Sequence, residues 1–213
     1  MTQITKIGYT HGRFQPVHNG HFKVMLYILK NYDQLWVGIA NPLRELPKNI
    51  ESLVSDLRNS IKKAREPKNN PYSYIERYNM IYSSLKLYGI DMKRVKILPH
   101  FGAYETENWA DFFPPKEQTT IILPAKDIYH YKKLEIYRKE SWKVEIIPQF
   151  PGISGKIFDN EFPYGNWKEL VPKGAIEIIE KKLEEHKIKA KRLLKNINGL
   201  FPKKIIEIIK GKT

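Results

Sequence analysis

Residues 4–21 read ITKIGYTHGRFQPVHNGH. Residues 4–9 carry the alternating pattern of a strand. Gly12 and Pro16 then mark a tight turn. Asn19 and Gly20 open the helical pattern HFKVMLYILKN (21–31), in which Phe22, Met25, Leu26 and Leu29 share one face. A strand that turns through glycine and proline into an amphipathic helix is the first half of a β–α–β unit.

The rest of the chain repeats that alternation. QLWVGIA (34–40), RVKILP (94–99), TTIILP (119–124) and KVEIIP (143–148) read as strands. Helical patterns lie between them; YSYIERYNMIYSSLKLYG ends at Gly89, a residue suited to stopping a helix. The expected fold class is α/β, a parallel sheet with right-handed crossovers. Residues 41–69 interrupt it as a proline-bounded insertion with a short helix expected at 50–65. Two roles stay open for the insertion, an excursion over the active site or a simple surface loop.

Residues 173–213 form a basic, helical carboxyl-terminal extension beyond a main domain of residues 1–172. In the helix expected at 173–198, Ile176, Ile179, Leu183, His186, Ala190, Leu193 and Ile197 fall on a narrow seam. That seam suits packing on the main body or a contact with a second copy of the chain.

Composition bounds the function. Of 213 residues, 41 % are hydrophobic, enough for one domain with an appendage. No apolar run approaches the roughly 20 residues of a membrane span, and no leader pattern is read at the amino terminus. The absence of cysteine excludes disulfides, thiolate zinc sites and cysteine nucleophiles. A cytoplasmic enzyme without membrane partners is the expectation. The formal net charge of +14 fits a solvated lysine surface and also attracts anions, from nucleotides and pyrophosphate to nucleic acid.

The chemistry concentrates in Gly12–His21. In an open α/β sheet, ligands sit at the carboxyl ends of the strands. Gly12 lets the backbone approach a bound group, and the start of the following helix favours phosphate. His18 and His21 on the first helical turn can reach one anion, with Arg13 adding a planar cationic fork. Such a group suits nucleotidyl transfer, which needs in-line positioning and charge neutralisation rather than a base. No third metal ligand lies nearby, so no protein-held metal is expected.

GRFQPVHNGH is similar to the signature of the HxGH nucleotidyltransferase superfamily. It most resembles the archaeal type of nicotinamide mononucleotide (NMN) adenylyltransferase, with Arg13, Gln15, Pro16, His18, Gly20 and His21 matching. The resemblance implies a Rossmann-like sheet with helices on both faces, and ATP with Mg²⁺. It implies His18, His21 and Arg13 as catalytic groups, with Gly12, Phe14, Gln15 and Gly20 against the nucleotide.

Three further stretches extend the likeness over residues 4–180. NPYSYIERYNMI (70–81) resembles a family block that implies Asn70 and Arg77 near the acceptor. YETENWADFF (104–113) resembles the segment whose tryptophan stacks on the nicotinamide ring, implying Asn108 and Trp109; Trp109 as a core residue is the other reading. ISGKIFDNEFPYGNWKELVP (153–172) matches at Ile153, Ser154, Gly155, Trp167, Leu170, Val171 and Pro172. It departs where the family has threonine and a phosphate-binding arginine. Lys156 stands in the threonine's place, and Phe158 or Asp159 in the arginine's. The expectation is that Ser154, Gly155 and Lys156 hold phosphate there, Lys156 as a point charge.

The resemblance implies transfer of AMP from ATP to NMN or nicotinate mononucleotide, with release of pyrophosphate. The family is commonly oligomeric, so a homo-oligomer is a possible partner state. Two other readings stand beside this one. The first is a cytidylyl- or adenylyltransferase for another phosphorylated small molecule. The second is a catalytically weakened nucleotide- or nucleic-acid-binding homologue, whose affinity for nucleic acid would fall with salt.

Overall fold

The computed structural model describes residues 5–40, 55–102, 109–125, 128–150 and 162–197. In chain order the elements are β1 (Ile7–Gly12), α1 (Asn19–Asn31), β2 (Gln34–Ala40), α2 (Ser55–Arg65), α3 (Tyr74–Leu87), β3 (Val95–His100), β4 (Thr119–Ala125), α4 (Ile128–Lys139), β5 (Lys143–Pro148), α5 (Trp167–Leu170) and α6 (Lys173–Ile197). The strands form one sheet of order β3-β2-β1-β4-β5, with every neighbouring pair parallel. The order reverses between β1 and β4, which makes the carboxyl ends of these two strands the switch point where such sheets take their ligands.

The first strand lies further along than residues 4–9. It pairs with β2 from Ile7↔Gln34 through Gly12↔Ile39. The polar run Thr10–Gly12 reads as turn by pattern alone, but the apolar strand β2 beside it carries the ladder on. His11 and Gly12 are therefore strand residues.

Both faces of the sheet are covered, as the near-continuous burial of β1 requires. On one face α1 lies close over Gly8, where an added Cβ would come 2.3 Å from Ile28 Cγ2 and 3.0 Å from the Tyr32 ring. The hydroxyls of Tyr27 and Tyr32 both donate to the Glu145 carboxylate on β5, the latter over 2.5 Å. On the other face Tyr9 packs with Phe113, Ile121, Leu123, Leu134, Tyr137 and Trp142. Truncating a fully buried member such as Ile121 would cost about 2–5 kcal/mol.

Helix α3 begins with a reciprocal cap. Ser73 Oγ accepts from Glu76 N–H (3.2 Å), and Glu76 Oε2 accepts from Ser73 N–H (2.6 Å). It stops at Gly89, whose φ of +85° is the left-handed conformation that glycine adopts without a Cβ penalty. Gly174 at the start of α6 touches α3, a Cβ there falling 2.3 Å from Ser84 N.

The chain divides into two compact units, Met1–Ala175 and Ile176–Thr213. In the second, Ile179 is buried while His186 is exposed. The expected seam thus breaks at His186, since burying an imidazole without a hydrogen-bond partner is unfavourable. The seam positions from Ala190 onward lie beyond the described side chains.

Candidate active site

The motif turn leaves β1 at Gly12 and is folded around Phe14. Phe14 is 3 % exposed and has φ +52°, a left-handed conformation that costs a bulky residue on the order of 1–3 kcal/mol. Its ring lies beside Gly12, where a Cβ would meet it at 3.3 Å. The same ring stands edge-on to His21, with centroids 4.9 Å apart. The strain is therefore coupled to the placement of a histidine.

His18 is the N-cap of α1. Its Nδ1 accepts from the N–H groups of Gly20 (3.1 Å) and His21 (3.4 Å). His21 answers reciprocally: its Nδ1 accepts from the N–H of His18 (3.3 Å). A capping box of this kind is ordinarily built from a hydroxyl and a carboxylate. Two imidazoles build it here, and their rings stack at 3.6 Å with 23° between planes. Because each Nδ1 accepts, the ring hydrogen of each neutral imidazole sits on Nε2. Each histidine thus turns a backbone amide's hydrogen into an Nε2–H donor further out. The helix-start amides of Gly20 and His21, expected to face phosphate, are given to His18. An anion at this helix end would meet imidazole, backed by the helix dipole.

The second motif is physically tied to the first. Gln15 pairs with the backbone of Tyr72 in both directions, Nε2 donating to Tyr72 O and Oε1 accepting from Tyr72 N–H, each at 3.0 Å. Its Nε2 also donates to Asn70 Oδ1 (3.3 Å). Asn70 in turn donates from Nδ2 to Ala64 O and Glu66 O at the end of α2. Arg77 is 2 % exposed, and its Nη1 donates to Arg13 O (2.8 Å) and Ala40 O (2.6 Å) while Nε donates to Ser73 O (3.2 Å). Gln15, Asn70 and Arg77 were expected at the nucleotide or the acceptor. In the structure their amide and guanidinium groups lock the motif turn, the end of β2 and the start of α3 together.

Arg13 is exposed, so its guanidinium is open to solvent beside the turn. Asn19 donates to Glu169 O (2.7 Å), which brings the carboxyl-terminal block back to the start of α1. In that block Trp167 is 4 % exposed and packs edge-on to Phe162, a core role. Trp109 begins a short 3₁₀ turn, Trp109–Phe112, after β3. Asn108, Ser154, Gly155 and Lys156 lie outside the described residues.

A second pair of stacked histidines escaped the sequence reading. His11 on β1 and His100 on β3 lie 4.0 Å apart with 14° between planes. Tyr9 hydroxyl is hydrogen-bonded to His100 Nδ1, and Tyr137 hydroxyl to His11 Nε2, both at 2.7 Å. Burial pushes the Tyr9 hydroxyl well above its ordinary pKa, so it stays uncharged. The available signal was the two-residue spacing of Tyr9 and His11, which puts them on one face of β1.

Among the described residues no group of three or more His, Asp or Glu gathers to hold a metal. Among the same residues no helix is long and apolar enough to cross a membrane.

A family model described as cytidylyltransferase-like matches residues 9–164. The chain is 29 % identical over 178 residues to the nicotinamide-nucleotide adenylyltransferase of Saccharolobus solfataricus, covering 79 % of this chain and 86 % of that protein. It is 25 % identical over 191 residues to the phosphonoformate cytidylyltransferase of Streptomyces viridochromogenes, covering 88 % and 98 %. A solved bifunctional NMN adenylyltransferase/ADP ribose pyrophosphatase from Francisella tularensis, complexed with AMP and a Mn ion, has the same fold at a TM-score of 0.54 and 20 % identity. That match covers 89 % of this chain and 55 % of the solved one, so the chain spans little more than half of that protein's length.

Proposed function

This chain belongs to the cytidylyltransferase-like family, and from that premise we propose that it transfers AMP from ATP to NMN or nicotinate mononucleotide, releasing pyrophosphate. The observation that carries the reading is the stacked His18–His21 pair at the start of α1, beside the switch point of the sheet, with both Nδ1 atoms held by backbone.

The reaction needs little else. The acceptor phosphate is already ionised at neutral pH, so no general base is required. Its oxygen attacks the α-phosphorus of ATP in line. The bond from that phosphorus to the bridging oxygen breaks, and pyrophosphate leaves with the electron pair. The Nε2–H groups of His18 and His21 donate to the phosphoryl oxygens as charge grows on them, and the Arg13 guanidinium adds a positive field. A preorganised donor of this kind is worth about 3 kcal/mol in the transition state. Mg²⁺ enters as part of the triphosphate substrate, where it offsets negative charge. Lys156, with Ser154 and Gly155, is assigned to the triphosphate, and Trp109 and Asn108 to the acceptor ring.

The relatives named above support the adenylyl donor and the pyridine-nucleotide acceptor. A second reading, a cytidylyltransferase for a different phosphate or phosphonate, draws on the Streptomyces enzyme, which matches across almost its whole length. One assay separates them. The protein is incubated with each of the four triphosphates and a panel of phosphorylated acceptors, and pyrophosphate is measured. Release confined to ATP with a pyridine mononucleotide is expected. Release with CTP alone would move the assignment to the second reading, and release with none would remove the catalytic one.

A further inference from the structure

The motif turn holds a side chain that the reaction as written does not use. Phe14 was expected against the nucleotide, yet at 3 % exposure it has almost no area to offer a ligand. Its φ of +52° is a conformation that a bulky residue keeps only where its surroundings over-determine it. Two neighbours lie against the ring. A Cβ on Gly12 would meet it at 3.3 Å, so glycine leaves it room on that side. The His21 imidazole stands at 76° to it with centroids 4.9 Å apart, an edge-to-face pairing within the favoured range.

His21 has use for that neighbour. Its Nδ1 accepts from the His18 N–H at 3.3 Å, the long end of a hydrogen bond. The outer torsion of a histidine is broad rather than confined to staggered wells. A long hydrogen bond by itself therefore leaves the ring room to turn, and turning re-aims Nε2–H. The His18 ring covers one face at 3.6 Å, and Phe14 meets the imidazole nearly at a right angle. Contacts in two directions restrict the rotation that a single stack would permit.

We propose that Phe14 is a positioning residue for His21: its buried ring, set in place by the left-handed turn, holds the imidazole at the angle from which Nε2–H meets the reacting phosphate. This rests on the adenylyltransferase reading and adds to it a side chain that acts through a histidine without touching substrate.

The test measures kcat and KM by pyrophosphate release with ATP and a pyridine mononucleotide. Four full-length proteins are compared: wild type, Phe14→Leu, His21→Ala and the double variant. Phe14→Leu is expected to lower kcat about 10- to 100-fold and to leave both KM values within about threefold. Added to His21→Ala, the same substitution is expected to change kcat by less than about twofold, because the ring has no imidazole left to hold. A thermal melt of each protein monitors folding, and Phe14→Met repeats the comparison if Phe14→Leu does not fold. Nitrogen NMR of the histidine rings supplies a readout apart from turnover, the His21 signal being the one lost in His21→Ala. Wild type is expected to show His21 with its hydrogen on Nε2, and the folded Phe14 variant to show the two tautomers averaging. An equal fold loss in both His21 backgrounds means that Phe14 merely supports the turn, and it overturns the inference. So does a folded Phe14 variant with wild-type kcat or an unchanged His21 spectrum. Those results leave the adenylyltransferase reading standing; a wild type that transfers to no pyridine mononucleotide overturns that reading and this inference with it.

Discussion

The imidazole of His18 lies against that of His21 at 3.6 Å, and each ring accepts a hydrogen bond from the other residue's backbone N–H. One contact thus caps a helix and fixes two tautomers. The capping role of His18 and its proposed role in catalysis are consequently superimposed on one side chain, and substitution can pull them apart.

His18→Asn keeps a good N-cap, because the asparagine oxygen can accept from the same amides, but it lacks the outlying Nε2–H. Its melting temperature is expected to stay near wild type while turnover falls about 10²- to 10³-fold. His18→Ala loses both, with about 1 kcal/mol of stability going alongside the rate. His21→Ala is expected to lower turnover by a similar order. Pyrophosphate release and thermal melts measure the two quantities separately. A His18→Asn enzyme with nearly full turnover would remove the donor role.

Arg77 joins three carbonyls from three parts of the chain, Arg13, Ala40 and Ser73. Arg77→Met removes the charged donor of three part-buried hydrogen bonds, at about 1–3 kcal/mol each. Urea unfolding is expected to show a loss of at least about 3 kcal/mol. Arg77→Lys should recover little of it, since an ammonium cannot reproduce the fork. A variant as stable as wild type would show that the clamp contributes nothing.

Gly38 and Tyr9 occupy each other's space. Gly38→Ala is expected to destabilise the protein by about 1–3 kcal/mol through overpacking. Tyr9→Phe alone also destabilises, because the buried His100 Nδ1 loses its partner. Combined, the two should cost clearly less than their sum, since the phenylalanine removes the atom that the new methyl strikes. A double-mutant cycle in urea measures the coupling, and strict additivity would contradict the contact.

Tyr32 has its pKa pushed up to about 12 by burial and by its hydrogen bond to Glu145. In the unfolded chain a tyrosine ionises near 10. Between these values the unfolded state has lost a proton that the folded state retains, so stability falls as pH rises. The stabilising contribution is whole below about pH 10 and lost by about pH 12. Melting curves across that window should fall more steeply for wild type than for Tyr32→Phe. Parallel curves would show that Tyr32 is not the group responsible.

Much of the fold is written locally. The strand–turn–helix opening of Ile7–Asn31 and the stop at Gly89 depend on residues within a few positions of one another, and both were legible as patterns; the Ser73–Glu76 cap is just as local but emerged only with the structure. The string GRFQPVHNGH likewise pointed to the family and its reaction class, because its residues lie within one turn of chain. The length of β1 was not legible, since Thr10–Gly12 are strand only by virtue of the neighbour that pairs with them.

Residue order alone sets the α/β alternation, the motif turn and its kinship. Tertiary structure decided what the individual side chains do. Gln15 meets Tyr72 across 57 residues, Arg77 reaches Arg13 across 64, and Tyr9 finds His100 across 91. Such partners are chosen by strand order and helix packing. Local pattern records whether a residue is helical, extended or turning; which distant group satisfies its hydrogen bonds is settled only when the sheet assembles and excludes water.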